Sequence, residues 1–366
     1  MKNKTNVISI VIFLLALLML LSCAKQETEW KGMIEEENGV QVVKNPKEPM
    51  YAEDVFSLEE ELALGGADER EEYMFSEIRQ IDVDENERMY VLDWQADHIK
   101  VFDKNGEYLL TIGSRGQGPG ELDRPSMISI KKNELMVTES RRLSFFSLDG
   151  KFLNHVLTKD MRPARARIGS QGHIIVEESI FDPENPRYQL KVIDNDMNLI
   201  SEIASSPTFD PQKPFNPFMS YTYWLINKDE NIVYGFQADY ELKIYDQGGT
   251  LLKKVKKEYD PVEITEEEKE ERTEGIPPGI KVEIPKYHTA FYRFFLDDEG
   301  RIFVQTYEKI GEEIYYHDVF DHEGKHTVKI PLRMRPFLCK KGNLYSVEDD
   351  EEGYQVVKRY KITWNY

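Results

Sequence analysis

Cysteine is almost absent from this sequence, since only Cys23 and Cys339 occur among its 366 residues. If Cys23 is modified, as argued below, Cys339 has no partner for an internal disulfide. Basic charge is also in short supply, because 47 lysines and arginines face 67 acidic residues and leave a net charge of −20. A chain of this charge repels nucleic acid and anionic lipid, so we expect no nucleic-acid partner.

The sequence also lacks the motifs of several common sites. The glycine-rich residues 114–122 carry no Lys-Ser/Thr pair and open no helix, so they read as a crossover between structural units rather than a phosphate loop. Residues 82–86 and 194–198 have the acidic spacing of a calcium loop without its glycine or its distal glutamate. No Gly-x-Ser-x-Gly elbow occurs. We therefore expect no cofactor and no metal, and we nominate no catalytic residue.

Long apolar runs are absent except at the start of the chain. Two lysines, Lys2 and Lys4, precede an apolar run from Val7 to Leu21, which a small residue and Cys23 follow. This pattern is typical of a secretory signal and is too short to span a bilayer comfortably. We predict a signal peptide over 1–22 and a flexible tether rich in Glu, Lys and Gln over 23–38. An uncleaved membrane anchor and an ordinary signal peptide are the alternatives.

The string LLSC at residues 20–23 resembles the lipobox of bacterial lipoproteins. The resemblance implies that Cys23 receives lipid and becomes the first residue of the mature chain. It also implies a membrane contact through that lipid and an extracytoplasmic location at the cell envelope, because buried acyl chains hold a protein at a bilayer surface. Ala24 after the cysteine is compatible with an outer membrane, on its periplasmic or its surface side.

A repeat of about 36 residues or more dominates the rest of the chain. Its clearest copy, residues 78–113, contains four short runs in which apolar residues alternate with polar ones, separated by turn-forming residues. This pattern predicts an all-β fold, a six-bladed β-propeller of four-stranded antiparallel blades over 39–366; an open sandwich is the alternative. The predicted blades lie near 75–113, 124–157, 165–204, 221–255, 287–330 and 334–364.

The sixth copy ends after three strands, so a strand from elsewhere must complete it if the ring is to close without an open edge. Residues 39–46, GVQVVKNP, have the composition of a strand, and we predict that they join the last blade. An insertion at 256–286 contains Thr265 and Glu268, which form a capping box for a short helix. That helix could lie across the opening as a lid.

Residues 89–125 resemble an NHL-type repeat, in a Tyr-Val-x-Asp strand, an Ile-x-Val-Phe-Asp strand, an Asx-Gly turn and a glycine-rich link that ends in proline. With the lipobox, the arrangement looks like the six-bladed propeller lipoproteins of bacteria. Such a resemblance implies a fold and a compartment, and it implies no substrate.

The sequence also contains histidines and one cysteine whose positions in the predicted strands indicate structural rather than catalytic roles. His317, His322 and His326 surround one outer hairpin of the fifth blade, where we expect them to be exposed to solvent. Cys339 lies in a predicted inner strand, where a buried and inert thiol is expected.

The topology predicts one face that collects two sets of loops, because the turn between strands two and three lies at the same end of a blade as the link to the next blade. We expect arginines, which suit planar anionic groups, and one tryptophan to form a ligand site there. These residues are Trp94, Arg115, Arg142, Arg162, Arg165, Arg167 and Arg335. Salt bridges between the arginines and the many acidic residues are the alternative.

These observations predict a membrane-anchored, extracytoplasmic binding or scaffolding propeller that recognises a glycan, an anionic ligand or an acidic partner protein. A hydrolase or lyase is one alternative, and it needs acids or histidines that converge at the channel mouth. A structural subunit of an envelope complex is another, and it needs a flat hydrophobic face for envelope proteins.

Overall fold

The runs of alternating apolar and polar residues form strands, and four strands in succession pair antiparallel into a blade. The computed structural model describes residues 29–67, 70–158, 161–333 and 335–365. The predicted signal peptide and Cys23 therefore lie outside the described residues. Within the described part the secondary structure is almost entirely β, in six sheets, and the predicted six-bladed propeller of four-stranded blades is confirmed.

Three strands precede the first blade: β1 (Met33–Glu37), β2 (Val40–Asn45) and β3 (Phe56–Gly65). The first three blades are each built from four consecutive strands. Blade 1 contains β4 (Ile78–Val83), β5 (Met89–Asp93), β6 (His98–Phe102) and β7 (Tyr108–Ile112). Blade 2 contains β8 (Met127–Lys131), β9 (Glu134–Thr138), β10 (Arg142–Ser147) and β11 (Phe152–Leu157). Blade 3 contains β12 (Pro163–Ile168), β13 (Ile174–Ile180), β14 (Arg187–Ile193) and β15 (Leu199–Pro207).

Blades 4 and 5 repeat this plan, and the helix α1 (Glu266–Thr273) lies between them in the chain. Blade 4 contains β16 (Thr222–Ile226), β17 (Ile232–Phe236), β18 (Glu241–Tyr245) and β19 (Leu251–Lys257). Blade 5 contains β20 (Arg293–Leu296), β21 (Ile302–Ile310), β22 (Ile314–Phe320) and β23 (His326–Leu332). Blade 6 has three strands of its own, β24 (Arg335–Lys340), β25 (Asn343–Asp349) and β26 (Gln355–Trp364). Single 3₁₀ turns occur at Glu53–Val55, Glu71–Tyr73 and Ser170–Gly172.

The hydrophobic core lies between the faces of neighbouring blades. Tyr90 of blade 1 and Phe146 of blade 2 belong to one cluster and are 0% and 1% exposed. Burying an aromatic or aliphatic side chain of this size stabilises the folded state by roughly 1.5–3 kcal/mol. Because each blade packs on two neighbours, removal of any blade exposes two such faces.

The sixth blade is completed by β3, which pairs antiparallel with β26 along nearly its whole length. The prediction that residues 39–46 complete the last blade is wrong. An N-terminal strand does close the ring, as predicted, but that strand is Phe56–Gly65. The physical reason is length, since β26 has ten residues and only β3 is long enough to match it. Leu64 of β3 is buried against blade 1 and blade 6 residues.

One glycine shows how closely β3 approaches blade 1. Gly106 has φ of 87°, and a Cβ there would lie 2.7 Å from a methyl carbon of Leu64. The turn around it is fixed by Asp103, whose carboxylate accepts hydrogen bonds from the backbone N–H of Asn105 and Glu107 at 2.8 and 2.9 Å. Only glycine meets both demands at this position.

The segment that we expected in blade 6 lies instead on blade 4. Strand β2 pairs in parallel with β19, and β1 adds to β2, so that the blade 4 sheet has six strands. Val42 and Val43 of β2 are fully buried, which explains why the segment resembles a core strand. The predicted flexible tether over 23–38 is wrong for residues 33–37, which form β1.

The predicted exposure of the histidine cluster is also wrong for two of its three members. His317 and His326 are 0% exposed, whereas His322 lies exposed in the turn. His326 Nε2 is 3.2 Å from the buried carboxylate of Asp318, which also lies 3.3 Å from Lys257 Nζ and accepts a hydrogen bond from Tyr240. The ion pair with Asp318 accounts for the burial of His326. His317 is buried singly as a neutral ring, because burial lowers its pKa to about 3, and its Nδ1 lies 3.1 Å from the Tyr315 carbonyl. Cys339 is buried as predicted, at 4% exposure.

We predict that Leu64→Ala lowers the free energy of unfolding by about 2–4 kcal/mol, because it leaves a cavity where the closing strand meets blade 1. The matched variant Ile34→Ala alters an edge strand residue that is 46% exposed and should change stability by less than about 0.5 kcal/mol. Denaturant unfolding of both variants measures the difference. Equal effects would show that β3 is not part of the cooperative ring.

Candidate functional site: a tyrosine-lined cavity on the loop face

The loop face is the face of the propeller that carries the links between successive blades and the turns between second and third strands. Two long links on this face are residues 208–221, before β16, and residues 258–292, before β20. The two links bind each other: the Phe215 N–H donates to the Lys281 carbonyl at 2.8 Å, and the Glu283 N–H donates to the Phe215 carbonyl at 3.0 Å. They therefore form one layer over blades 4 and 5.

The helix in this layer begins at the predicted capping box, which is confirmed. The Thr265 hydroxyl accepts a hydrogen bond from the Glu268 N–H at 3.2 Å, and the Glu268 carboxylate accepts one from the Thr265 N–H at 2.8 Å. Three glutamates in the first turn complement the positive end of the helix dipole. Such local terms matter here because none of the helix residues is buried.

A stacked histidine fastens the layer to blade 5. The ring of His288 lies parallel to that of Tyr307, with 4.1 Å between centroids and 13° between planes. Its Nε2 is 3.2 Å from the Glu268 carboxylate. Burial lowers the pKa of His288 below its ordinary value, and the nearby Glu268 carboxylate only partly offsets this effect. The imidazole is therefore mainly neutral at neutral pH.

Gln237, in the turn between β17 and β18, holds the ends of both links. Its side-chain oxygen accepts a hydrogen bond from the Tyr221 N–H at 2.7 Å, and its amide group donates to the Tyr292 carbonyl. Its own backbone carbonyl accepts from the Ala290 N–H at 2.8 Å. This buried side chain fixes where two aromatic residues enter the inner strands of blades 4 and 5.

A cavity of about 1570 Å³ opens between this layer and the loop-face ends of blades 4, 5 and 6. Aromatic side chains from all three blades line it, with Phe218 and His288 from the links. Seven of its lining residues are tyrosines: Tyr221, Tyr223, Tyr292, Tyr307, Tyr315, Tyr316 and Tyr360. A cavity of this size accommodates several sugar rings or a short peptide.

Two of the tyrosines, Tyr307 and Tyr360, are held as neutral phenols. Burial raises the pKa of Tyr307 to about 12, and its hydroxyl lies 3.0 Å from that of Thr289. Burial and the neighbouring Glu348 carboxylate raise the pKa of Tyr360, whose hydroxyl donates to Glu348 at 2.7 Å. These rings offer apolar faces and polar tips to whatever enters the cavity.

Acidic residues outnumber basic ones around the cavity. Eight carboxylates line it, against the four cations Arg272, Lys309, Arg333 and Lys358. Some of these groups are paired within the lining, since Arg333 lies 2.7 Å from Glu313 and Lys358 lies 3.3 Å from Glu348. Glu263 and Glu308 are paired with Lys286 and Lys329, which do not line the cavity. The acidic residues are Glu263, Glu268, Glu271, Glu308, Glu312, Glu313, Glu348 and Asp349. The resulting negative potential favours a neutral or cationic ligand over an anionic one.

Three of the arginines selected from the sequence make ion pairs within the protein. Arg115 binds Asp97 at 2.6 Å, and Arg142 binds Glu139 through two hydrogen bonds of 2.8 and 2.9 Å. Arg165 makes two bonds of 2.8 Å to Glu177, and it donates another of 2.7 Å to the carbonyl of Thr222 in the next blade. For these three, the salt bridges that we held as the alternative are present.

The other selected residues are scattered. Trp94 is half-buried with the Arg79 guanidinium 5.8 Å from its ring centroid, and Arg162 is exposed with its guanidinium 5.0 Å from the ring of Phe181. Arg167 lies near the end of β12 and is treated below. Arg335 begins β24, where it pairs with Val347 of β25. None of the six residues whose side chains the structure describes, Trp94, Arg115, Arg142, Arg162, Arg165 and Arg167, lines the cavity.

The cavity-lining tyrosines were missed because tyrosine in a strand usually indicates core. One pattern in the sequence points to them. Tyr315 and Tyr316 are adjacent at the start of β22, and consecutive strand residues point to opposite sides, so both cannot enter the same core.

A ring of six four-stranded blades defines a six-bladed β-propeller, and this one carries a ligand-sized cavity on its loop face. Residues 34–356 match the family described as 6-bladed beta-propeller (DUF5128), and the chain belongs to this family. Among curated proteins, none matches the chain significantly.

Solved structures with the same fold are distant in sequence. A protein of Bacteroides fragilis described as exported is 13% identical, with a TM-score of 0.58 over 88% of this chain and 99% of its own. A DUF4221 family member from Bacteroides vulgatus is 14% identical, with a TM-score of 0.54 over 85% of this chain and 99% of its own. These likenesses support the fold. Among the described residues, no helix has the length and apolar character needed to cross a bilayer.

We predict that the layer loosens in acid through His288. Because burial lowers the pKa of His288 from 6.5, the docked form resists protonation, so docking is strongest above pH 6.5 and weakens as the pH falls below it. Hydrogen exchange of residues 258–287 should therefore be faster at pH 5.5 than at pH 7.5, after correction for the intrinsic rates.

The matched variant is His288→Phe, which keeps a ring on Tyr307 but cannot take up a proton. Its corrected exchange in this segment should not differ between the two pH values. A pH dependence that persists in His288→Phe would show that another group controls the layer.

Proposed function

We propose that the protein is a binding module of the cell envelope that recognises a neutral glycan chain in the tyrosine-lined cavity. The observation that carries this proposal is the combination of seven tyrosines and a surplus of carboxylates around one cavity of about 1570 Å³. The broader sequence expectation included anionic ligands and acidic partners. The surplus of carboxylates around the cavity favours a neutral ligand over the anionic ones in that expectation.

Sugar chemistry fits these walls. A pyranose ring has apolar patches of C–H groups that pack on aromatic faces, and its hydroxyls donate hydrogen bonds that carboxylates and phenols accept. Tyr221 is 49% exposed and supplies an open face at the mouth, whereas Tyr292 and Tyr307 pack edge to face at 5.9 Å deeper in the wall. The rings are preorganised by Gln237 and His288, so little side-chain entropy is lost on binding.

The charge of the lining supports a neutral rather than an acidic glycan. Glu312 and Glu313 are exposed in the turn at the rim, and Glu308 and Glu348 lie further in. A uronate or sulfate group would have to approach these carboxylates, which repel it in a site partly screened from water. A cationic peptide meets no such barrier and is the outcome that competes with the glycan in the test below.

Export and lipid attachment complete the proposal. The cationic start, the apolar run and Cys23 support secretion followed by lipidation, and a relative in fold from Bacteroides fragilis is described as exported. A tethered propeller whose loop face stays free can present its cavity to glycans outside the cytoplasm. Envelope proteins are further partners compatible with this location.

We predict that protein beginning at Glu29 binds members of an array of neutral oligosaccharides and that Tyr221→Ala weakens this binding tenfold or more. The loss corresponds to about 1.4 kcal/mol, a typical cost for removing one aromatic anchor. Tyr221→Phe should retain most of the affinity, because the stacking face remains. Calorimetry on the best array member gives these affinities.

The control is Tyr354→Ala, which removes a tyrosine that is 50% exposed and does not line the cavity. Its affinity should equal that of the parent. Binding confined to acidic glycans or cationic peptides would contradict the proposal. Recovery of shortened oligosaccharide after incubation would instead favour the hydrolase or lyase alternative.

We also predict that Cys23→Ala abolishes incorporation of labelled palmitate in a bacterial host and moves the protein from the membrane to the soluble fraction. The physical reason is that the acyl chains supply the membrane affinity, at about 0.8 kcal/mol for each buried methylene. Cys339→Ala alters the buried thiol and should leave labelling unchanged. Membrane retention of unlabelled Cys23→Ala would favour an uncleaved anchor.

A further inference from the structure

The central channel of the propeller holds a guanidinium that lacks a partner. Arg167 is the next-to-last residue of β12, the inner strand of blade 3. Its Nε is buried without a hydrogen-bond acceptor, and the side chain makes no ion pair with any described residue. The residue keeps partial exposure, which fits a side chain enclosed by the walls of a channel.

Asp82 is the carboxylate whose negative charge acts on Arg167, and Asp82 already has other partners. It lies on β4, the inner strand of blade 1, and blade 2 separates that blade from blade 3. Asp82 accepts hydrogen bonds from the Val83 and Ile130 N–H groups at 2.8 and 2.9 Å. It also lies 3.3 Å from Lys340 Nζ.

Strand positions place these groups at one end of the channel. Inner strands start at the loop face, so their last residues lie at the opposite face. Asp82 and Arg167 are next-to-last in their strands, and Lys131 and Lys340 are last in theirs. Lys131 is paired with Glu230 and Lys340 with Asp82, whereas Arg167 makes no ion pair with a described residue.

A second cation, Arg165, adds positive charge near Arg167. Arg165, two residues before Arg167, repels its guanidinium, although Arg165 itself is neutralised by Glu177. Burial lowers the pKa of Arg167, which shows that its surroundings solvate the cation poorly. A partly buried guanidinium without a counter-ion is costly, and a ligand that supplies the missing negative charge would offset that cost.

We propose that the channel end opposite the loop face is a binding site for a small oxyanion, a carboxylate or a phosphate, held by Arg167, with Lys340 at the same end of the channel. The planar fork of a guanidinium presents paired N–H donors that match two oxygens of either group. This site does not depend on the proposed glycan function. It lies at the other end of the channel and prefers the opposite charge.

The test measures anion binding by the protein beginning at Glu29 and by Arg167→Gln. Inorganic phosphate, acetate and citrate are titrated separately by calorimetry at pH 7.5, with sodium chloride at equal ionic strength as the reference. We expect saturable binding of at least one oxyanion and a loss of tenfold or more in Arg167→Gln. The three titrations distinguish a phosphate site from a carboxylate site.

Arg162→Gln is the matched control, because it removes an exposed arginine from the loop-face side of the same strand region. It should bind the anion as the parent does. Absence of saturable binding to all three oxyanions, or equal binding by Arg167→Gln, overturns the proposal. Binding of neutral oligosaccharide should be unchanged in Arg167→Gln, so the two proposals fail independently.

A stability measurement guards against misfolding of the variant. At low ionic strength without oxyanion, Arg167→Met should melt at a higher temperature than the parent, since it removes an unpaired charge. Added phosphate or citrate should raise the melting temperature of the parent only. A lower melting temperature for Arg167→Met without oxyanion would show that Arg167 is a structural tie and would overturn the proposal.

Discussion

The hydrogen-bonded ladder between Phe56–Gly65 and Gln355–Trp364 joins the two ends of the propeller, and every other feature depends on it. Six blades enclose a channel only when the first and last are held together. Beside the ladder, the side-chain oxygen of Gln355 accepts a hydrogen bond from the Ile78 N–H at 2.6 Å and links the last blade to the first inner strand. Without this closure, blades 1 and 6 would each expose a hydrophobic face and an unpaired edge.

Closure also determines what the loop face presents. It fixes β25 and β26 beside blade 5, so that Glu348 and Tyr360 form one wall of the cavity and the links before β16 and β20 cover the other. The two sites then differ in their charges: carboxylates surround the cavity, whereas Arg167 near the far end of the channel makes no ion pair with a described residue. The inner strands all run from the loop face to the opposite face, so residues at their two ends belong to different surfaces. The two ends of the channel can thus differ in the ligand charge that they favour.

The repeat was readable because strand alternation and Asx-Gly turns are local properties of the chain. The closing strand could not be predicted, since residues 56–65 contain three consecutive glutamates and pair with a strand nearly 300 residues away in sequence. His326 shows the same limit, because its burial depends on Asp318, Lys257 and Tyr240 from two blades. The loop face and the insertion at 256–286 were predicted, but the tyrosines that line the cavity were not selected. Arg115, Arg142 and Arg165 were selected because guanidinium groups suit anionic ligands. In the folded chain each of them is paired with an acidic residue instead.

Hydrogen exchange of the closing ladder tests the account most directly. If β3 closes the ring, peptides covering 56–65 and 355–364 exchange together, at the slow rate of the inner strands and with the same denaturant dependence. Exchange of 56–65 within seconds, while 355–364 and the other blades remain protected, would contradict it. The ring would then be open in solution, and neither the cavity wall of blade 6 nor the channel would exist as described.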